Sequence, residues 1–305
     1  MKTSTSERGL KAATQAIARI HRDPSLEHSI ADLARYSNLS PERFIAFFKQ
    51  HIGESPGAYV RRARIEFVVK MLRATPDMTL TEAAFASGHS DLSALSRSFK
   101  AFYGIAPNEW DRRRRLKNYK NCQASAINNA YLWKSLPELP GSRRGTVSIR
   151  RYPAMRLALM RIAEPTIGDN LARGFDALEA WAVEHGQIRD EFSFMGLSYA
   201  DLFSSSPPAI DFTLGCPVDA EPLSSGPVVI QDFAPFTAAV IHCVGQVDDY
   251  IRAWDQLARD WLPNSAYVQT PMPAIEMYFS DPRPSRMAEW DMDCIIPVTR
   301  ANHRT

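Results

Sequence analysis

Residues 29–59 read SIADLARYSNLSPERFIAFFKQHIGESPGAY, and residues 79–110 read TLTEAAFASGHSDLSALSRSFKAFYGIAPNEW. The second stretch repeats the pattern of the first. Ala34 and Ser37 return as Ala84 and Ser87, 50 positions on, while Phe48, Lys49 and Gly53 return as Phe99, Lys100 and Gly104, 51 positions on. A single inserted residue in the turn between two helices accounts for the slip, because turns tolerate length changes that helices do not.

Each copy reads as helix, tight turn, helix. In the first, Ile30, Leu33 and Ala34 form an apolar stripe at helical spacing. Asn38 suits the turn. Ser40-Pro41-Glu42 then opens a second helix with an N-cap, a proline at the first position and an early acid. Phe44, Phe47 and Phe48 are its inward stripe. In the second copy Leu80, Ala83 and Ala84 form the first stripe, Gly88 makes the turn, Ser90 or Asp91 caps, and Leu95, Phe99 and Phe102 face inward. Residues 56–73 read as one connecting helix with Tyr59, Val60, Ala63, Phe67 and Leu72 inward and Arg61, Arg62, Arg64 and Lys70 on its remaining face. Residues 8–22 predict a helix packed over the first copy. A helix held by a tight turn against a support helix fits the DNA major groove. Two such units on a rigid connector reach successive grooves and read a non-palindromic site without a dimer.

Working outward, charge separates the chain into two parts. Residues 1–120 hold 21 Lys and Arg against 12 Asp and Glu, and residues 121–305 hold 15 against 22, so a net charge of +2 conceals segments of +9 and −7. A basic segment joined to an acidic one points to a polyanion-binding domain and a partner with another task. Of 21 prolines, 5 lie in residues 1–120. The first part reads as helices and the second as strands, loops and helices. No run approaches a membrane span, the start lacks the apolar core of a signal peptide, and a cytoplasmic location is expected. Cys122, Cys216, Cys243 and Cys294 form no CxxC pair and have no histidine at metal-ligand spacing, so reduced thiols and no metal or other cofactor are expected.

Residues 8–115 resemble the DNA-binding domain of AraC/XylS-type regulators. The second copy carries the resemblance, through Gly88, Asp91, Ser93, Arg97, Phe99, Lys100, Gly104 and Pro107. His89 replaces the usual phenylalanine, Leu95 a second one, and Trp110 the usual aromatic. By position, and in the family, the exposed start of each second helix meets base edges. In the second unit that face holds Leu92, Ser93, Ala94 and Arg97, where Arg97 either donates to guanine or pairs with a neighbouring acid. In the first it holds Glu42, Arg43, Ile45 and Ala46; Glu42 either accepts from cytosine or simply caps its helix. Ile45, Ala46 and Ala94 suit thymine methyls. Phosphate contacts are expected from Lys49, Arg61, Arg62, Arg64, Lys100 and the His89-Ser90 turn, with Arg112 to Arg115 as an extension of that footprint or as a solvated helix end.

From about residue 146 the pattern changes. TVSIRRY and MRLALMRI read as strands, NLARGFDALEAWAVEH as a helix, and SFMGLSYAD and AIDFTLGCPV as strands. The order then recurs: VVIQDF, TAAVIHCVG, helix DDYIRAWDQLARDWL, AIEMYFSD and MDCIIPV. Two strand–strand–helix–strand–strand units predict a pseudo-two-fold domain with a concave sheet face between two helices, a natural ligand cleft. Residues 146–298 resemble GyrI-like domains, which occur alone and as effector-binding ends of regulators. Ala234-Pro235-Phe236 stands where the family has a P-G-G turn, Trp261-Leu262-Pro263-Asn264-Ser265-Ala266-Tyr267 matches its W-L-P-x-S-G motif save for the glycine, and Pro273 to Tyr278 matches its acidic strand.

Alternation puts Ile275, Met277 and Phe279 on one face of that strand and Glu276 with Tyr278 on the other. An unpaired carboxylate in an apolar cleft favours a cation or becomes protonated. Beside it Tyr278, with Tyr199, Phe236 and Trp290 elsewhere, offers aromatic faces for a flat cation, and the resemblance implies that Glu276 helps bind a cationic, often aromatic, ligand. Without the resemblance, an ion pair or a solvent position for Glu276 is preferred.

The expected architecture is therefore multidomain: an all-α tandem helix-turn-helix domain over 1–115, a linker over 116–145, and an α+β GyrI-like domain over 146–305. The expected function is a DNA-binding transcription regulator modulated by a small ligand, with double-stranded DNA and the effector as partners, and altered contact with RNA polymerase as one route of action. No enzyme is expected and no residue is assigned a catalytic role. Two alternatives stand beside it: a small-molecule hydrolase using Glu276 and Tyr278, and a protein-docking module on a constitutive DNA-binding protein.

Overall fold

A computed structural model describes residues 5–75, 77–110, 145–162, 169–188, 193–199, 212–219, 225–283 and 289–301. The expected linker lies almost wholly outside these residues, as do Cys122 and Arg112 to Arg115. The first part is six helices: α1 (Thr5–Arg22), α2 (Ile30–Tyr36), α3 (Pro41–Ile52), α4 (Pro56–Ala74), α5 (Leu80–Ala86) and α6 (Leu92–Tyr103).

Local chemistry fixes each boundary. The side chains of Ser29, Ser40, Ser55, Thr79 and Asp91 accept the backbone N–H of Asp32, Arg43, Ala58, Glu82 and Ala94, satisfying groups that a helix start leaves orphaned. Gly53 and Gly104 end α3 and α6 in left-handed conformations. Between α2 and α3, Asn38 turns the chain at φ 53°, and Gly88 does the same between α5 and α6 at φ 74°. The two units are thus built alike, with α5 shifted by 50 positions from α2 and α6 by 51 from α3. Ala34, Phe44, Phe48 and Tyr59 centre the first core, and Ala84, Leu95, Phe99 and Tyr103 the second. Helix α4 contributes to both and fixes their spacing.

The second part holds β1 (Ser148–Tyr152), β2 (Met155–Ile162), α7 (Asn170–Glu184), β3 (Met195–Ser198), β4 (Phe212–Pro217), β5 (Val229–Phe233), β6 (Phe236–Gly245), α8 (Val247–Asp255), β7 (Tyr267–Gln269), β8 (Ala274–Tyr278) and β9 (Trp290–Arg300). Helix α8 continues through a wider turn over Gln256–Trp261. β7 is a strand that the sequence did not disclose. The sheet is antiparallel in the order β1-β6-β9-β8-β3-β4-β2-β5, with β7 beside β9. Read from either edge, the first strand of one unit pairs with the second strand of the other unit, followed by that unit's fourth and third. Two-residue links join β1 to β2 and β5 to β6, although these strands lie at opposite ends of the order. Such short links force the sheet to curl. Its inner face packs Leu157, Leu197, Phe233, Phe236, Val240 and Ile295. Its outer face packs Leu214, Cys294 and Ile296 under Phe175 and Leu178 of α7 and Trp254 of α8.

Candidate DNA-reading face and candidate ligand site

The two reading helices present equivalent faces. On α3, Glu42, Arg43, Ile45, Ala46 and Lys49 are exposed; on α6, Leu92, Ser93, Arg97 and Lys100 are exposed and Ala94 is half-buried. The inward residues of the same turns, Phe44 and Phe48, Leu95 and Phe99, are fully buried, so packing dictates which side chains remain outside. Ser90 donates to Asp91, and Asp91 accepts from the Ala94 N–H at 2.7 Å. That backbone bond, helped by Ser90, holds the Asp91 carboxyl below its usual range. Arg43 lies over the Phe47 ring at 6.0 Å, which orients its guanidinium along α3. Arg61 is exposed on α4.

Three expected phosphate contacts have other work. Arg62 is 5% exposed, bonds Glu54 at 2.7 Å and Glu66 at 3.2 Å, and stacks over Tyr59. Arg64 donates to the carbonyls of Pro24 and Leu26 at 3.1 and 2.8 Å and to Gly88 at 3.4 Å. It braces the turn of the second unit against the loop after α1. His89 is half-buried with Nδ1 2.8 Å from the Ser87 hydroxyl. Burial, and then the Arg64 charge, keep its imidazole below its ordinary pKa and so neutral near pH 7. Repetition marks which helices face outward; it does not disclose which cations on α4 turn inward to serve buried acids.

In the second part Glu276 occupies β8, opposite Gly196 of β3 and Cys294 of β9. It lies on the helix-facing side of the sheet and is 8% exposed. The Tyr250 hydroxyl of α8 donates to Oε1 at 2.7 Å, the Tyr278 hydroxyl donates to Oε2, and Trp254 supplies a further hydrogen bond. Gly196 makes room for this: a Cβ there would stand 2.8 Å from Oε2 and 2.7 Å from the Phe212 ring. Burial pushes the Glu276 carboxyl above its usual pKa, and the three donors pull it partly back. Among the described residues its partners are neutral donors, not a guanidinium or an ammonium. Burial and the neighbouring carboxylate push the Tyr250 and Tyr278 phenols and the Cys294 thiol up as well.

The structure brings three of the expected ligand residues together and separates two. Trp290 packs edge-on against Tyr250 at 4.8 Å, joining Glu276 and Tyr278 in one cluster. Phe236 lies on the inner face of the sheet, stacked on Tyr152 at 5.0 Å, because strand parity and register turn it away. Tyr199 leaves the sheet altogether and stacks on His21 of α1. Sequence reading missed Tyr250 and Trp254, although their four-residue spacing on an amphipathic helix was a usable signal. It also missed Gly196, whose role depends on register.

Comparison with known proteins matches each of the two domains. A family described as a GyrI-like small molecule binding domain matches residues 145–299, and one described as a helix-turn-helix domain matches residues 33–113. A putative AraC-like transcription regulator of Streptomyces lividans is 36% identical over 95 residues, 31% of either chain. The chain thus spans about a third of the length of the curated regulators it matches. A DNA gyrase inhibitor of Erwinia billingiae is 29% identical over 133 residues, 42% of this chain and 81% of that one. Among solved structures, the C-terminal domain of EcmrR covers 51% of this chain and 98% of its own, at 14% identity and a TM-score of 0.43. No described helix is long and apolar enough to cross a membrane. With one family match spanning more than half its length, the chain belongs to the GyrI-like small-molecule-binding family, and it carries ahead of that domain a helix-turn-helix domain of AraC type.

Proposed function

We propose that this chain is a transcription regulator that reads DNA with α3 and α6 and is modulated by a cationic, aromatic small molecule held at Glu276. The observation that carries the ligand half is a buried carboxylate served only by neutral donors among the described residues. Such a group is stabilised by a positive centre delivered next to it, and Trp290 and Tyr278 offer rings to the ligand's apolar body. The DNA half is supported by two side-chain-capped helices whose exposed faces carry Arg43 in the first turn of α3 and Arg97 in the second turn of α6. Arg97 serves as the guanine donor, Leu92, Ser93 and Ala94 border it, and Lys49, Arg61 and Lys100 hold phosphates. The ligand acts by altering DNA affinity or contact with RNA polymerase.

Fluorescence anisotropy on the chain's own upstream DNA tests both halves, with tetraphenylphosphonium as a cation too bulky to intercalate. Arg97→Ala should lose sequence preference. The cation should shift the affinity of the unaltered protein and leave Glu276→Gln unmoved. Sequence-independent binding at physiological salt overturns the regulator, and an equal cation response in Glu276→Gln overturns the site.

The gyrase inhibitor among the relatives supports a second reading, in which the GyrI-like domain docks on a protein. Binding of a protein partner that competes with the cation would favour it. Hydrolysis is supported less. Cys294, the thiol nearest Glu276 in the strand register, has its pKa raised by burial and by that carboxylate, which disfavours the thiolate a nucleophile needs.

A further inference from the structure

One residue of the GyrI-like domain is seated inside the DNA-binding domain. Tyr199 directly follows β3 and is 5% exposed. Its ring stacks on the His21 imidazole at 4.2 Å with 17° between planes. His21 Nε2 and the Tyr59 hydroxyl share a hydrogen bond of 2.8 Å, and Tyr59 packs edge-on against Phe48 of α3 at 5.6 Å. The Tyr199 carbonyl accepts from Lys70 of α4 at 3.4 Å. Tyr199 thus belongs to the apolar core of the first helix-turn-helix unit, although its backbone extends a strand of the other domain. A narrow crevice lined by His21, Glu66, Lys70, Tyr199 and Pro271 marks the junction. The Arg156 hydrogen bond holds the Asp232 carboxyl of β5 below its usual range, and the Arg22 charge of α1 adds a smaller part to that effect.

The other part of the same strand touches the candidate ligand site. Gly196, three residues before Tyr199, pairs across from Glu276 and lies so close to the carboxylate that a Cβ there would force Glu276 or Phe212 to shift. A four-residue strand therefore meets Glu276 at one position and delivers an aromatic anchor to the DNA-binding core just past its end.

We propose that β3 couples the ligand site to the DNA-reading helices, and that Tyr199 on His21 is the contact through which the coupling passes. This rests on the reading of Glu276 as the ligand site. A molecule that takes the carboxylate displaces its donors and changes the packing beneath Gly196. β3 is too short and too tightly paired to absorb that change internally, so it shifts as a unit and changes the seating of Tyr199. The change reaches α3 through His21, Tyr59 and Phe48. Coupling of this kind requires an element whose position both sites bias, and β3 touches both.

The test uses the full chain as wild type, Tyr199→Ala and Tyr199→Phe. Tetraphenylphosphonium binding is read by quenching of tryptophan fluorescence, and DNA affinity by anisotropy. The cation should bind all three proteins within about twofold. It should shift DNA affinity on the order of fivefold or more in wild type and Tyr199→Phe, whose ring still stacks, and less than about twofold in Tyr199→Ala. A full shift in Tyr199→Ala overturns the coupling. A second arm needs no ligand: hydrogen exchange of α1 and α3 is compared with and without Glu276→Gln. The substitution should alter exchange there in the Tyr199 background and leave it unchanged in Tyr199→Ala. No change in either background overturns the coupling. Failure of the cation to quench wild type counts against the ligand reading alone, because the exchange arm still decides the coupling.

Discussion

Glu276 is the residue whose protonation is most exposed to test. Its folded pKa is raised above the unfolded value, so the fold binds this proton more tightly than the unfolded chain does. Ionisation therefore costs stability. The cost is absent at low pH, grows as pH rises above about 4.5, and is complete above the folded pKa. Glu276→Gln should melt at a higher temperature than wild type at pH 7 to 8, with the gap closing as pH falls toward 4.5; thermal scans across that range check it. A cation should gain affinity over the same rise in pH. Tyr250, Tyr278 and Cys294 face the carboxylate but have their own pKa values pushed upward, so they do not titrate in that window. Glu276→Gln should flatten the dependence, and a slope that survives the substitution would reassign it. Arg62 makes the opposite point about charge. It pairs Glu54 and the buried Glu66 and covers Tyr59. Arg62→Ala should cost about 3 kcal/mol of stability in denaturant titration, as loss of one partner of a buried pair does. A change in DNA affinity without loss of stability would restore its reading as a phosphate contact.

At the scale of elements, two left-handed glycines contrast, one in the turn of the second unit and one capping α3 of the first. Gly88 has φ 74°, and a Cβ there would stand 2.0 Å from the Ser25 carbonyl oxygen; Gly53 has φ 81° with open space around it. Left-handed backbone costs a residue with a Cβ about 1–2 kcal/mol. Gly53→Ala should lose only that, whereas Gly88→Ala should lose about 1 kcal/mol more, because the Ser25 loop must move and the Arg64 brace to Gly88 moves with it. Paired melting curves decide it, and equal losses would remove the close approach from the account. This contrast also shows why some elements were legible. Caps, turn residues and apolar stripes act within a few positions, so residues 29–110 announced their helices, their single-residue slip and their outward faces. Strand alternation likewise separated Glu276 and Tyr278 from Ile275 and Met277. Contacts set by register and topology were not legible. Phe236 and Tyr199 are aromatic residues near strand ends like Trp290, yet pairing sends one to the inner sheet face and the other into α1. β7 has three residues, too few for a period to show.

At the scale of the molecule, the separation of +9 from −7 has a measurable consequence once the buried cations are set aside. Gross charge overstates the DNA footprint. Arg62 serves buried acids, Arg64 braces backbone carbonyls, and Lys70 points to Tyr199 at the domain junction. Among the described residues, the exposed cations on α3, α4 and α6 are Arg43, Lys49, Arg61, Arg97 and Lys100. Each phosphate neutralised releases counterions, giving a slope of about −0.9 per contact in a plot of log affinity against log salt. The three that hold phosphates, Lys49, Arg61 and Lys100, predict a slope of roughly −2.7, while counting Arg62, Arg64 and Lys70 as well would push it to about −5.4. Anisotropy titrations over a salt series separate these values. Within the series, Arg61→Ala should flatten the slope by about one unit and weaken binding similarly on all sequences, as loss of a backbone contact does. Arg64→Ala should leave the slope nearly unchanged while weakening the preference for correctly spaced half-sites, because it loosens the second unit against the loop after α1. An Arg64→Ala slope flattened as much as that of Arg61→Ala would return Arg64 to the phosphates.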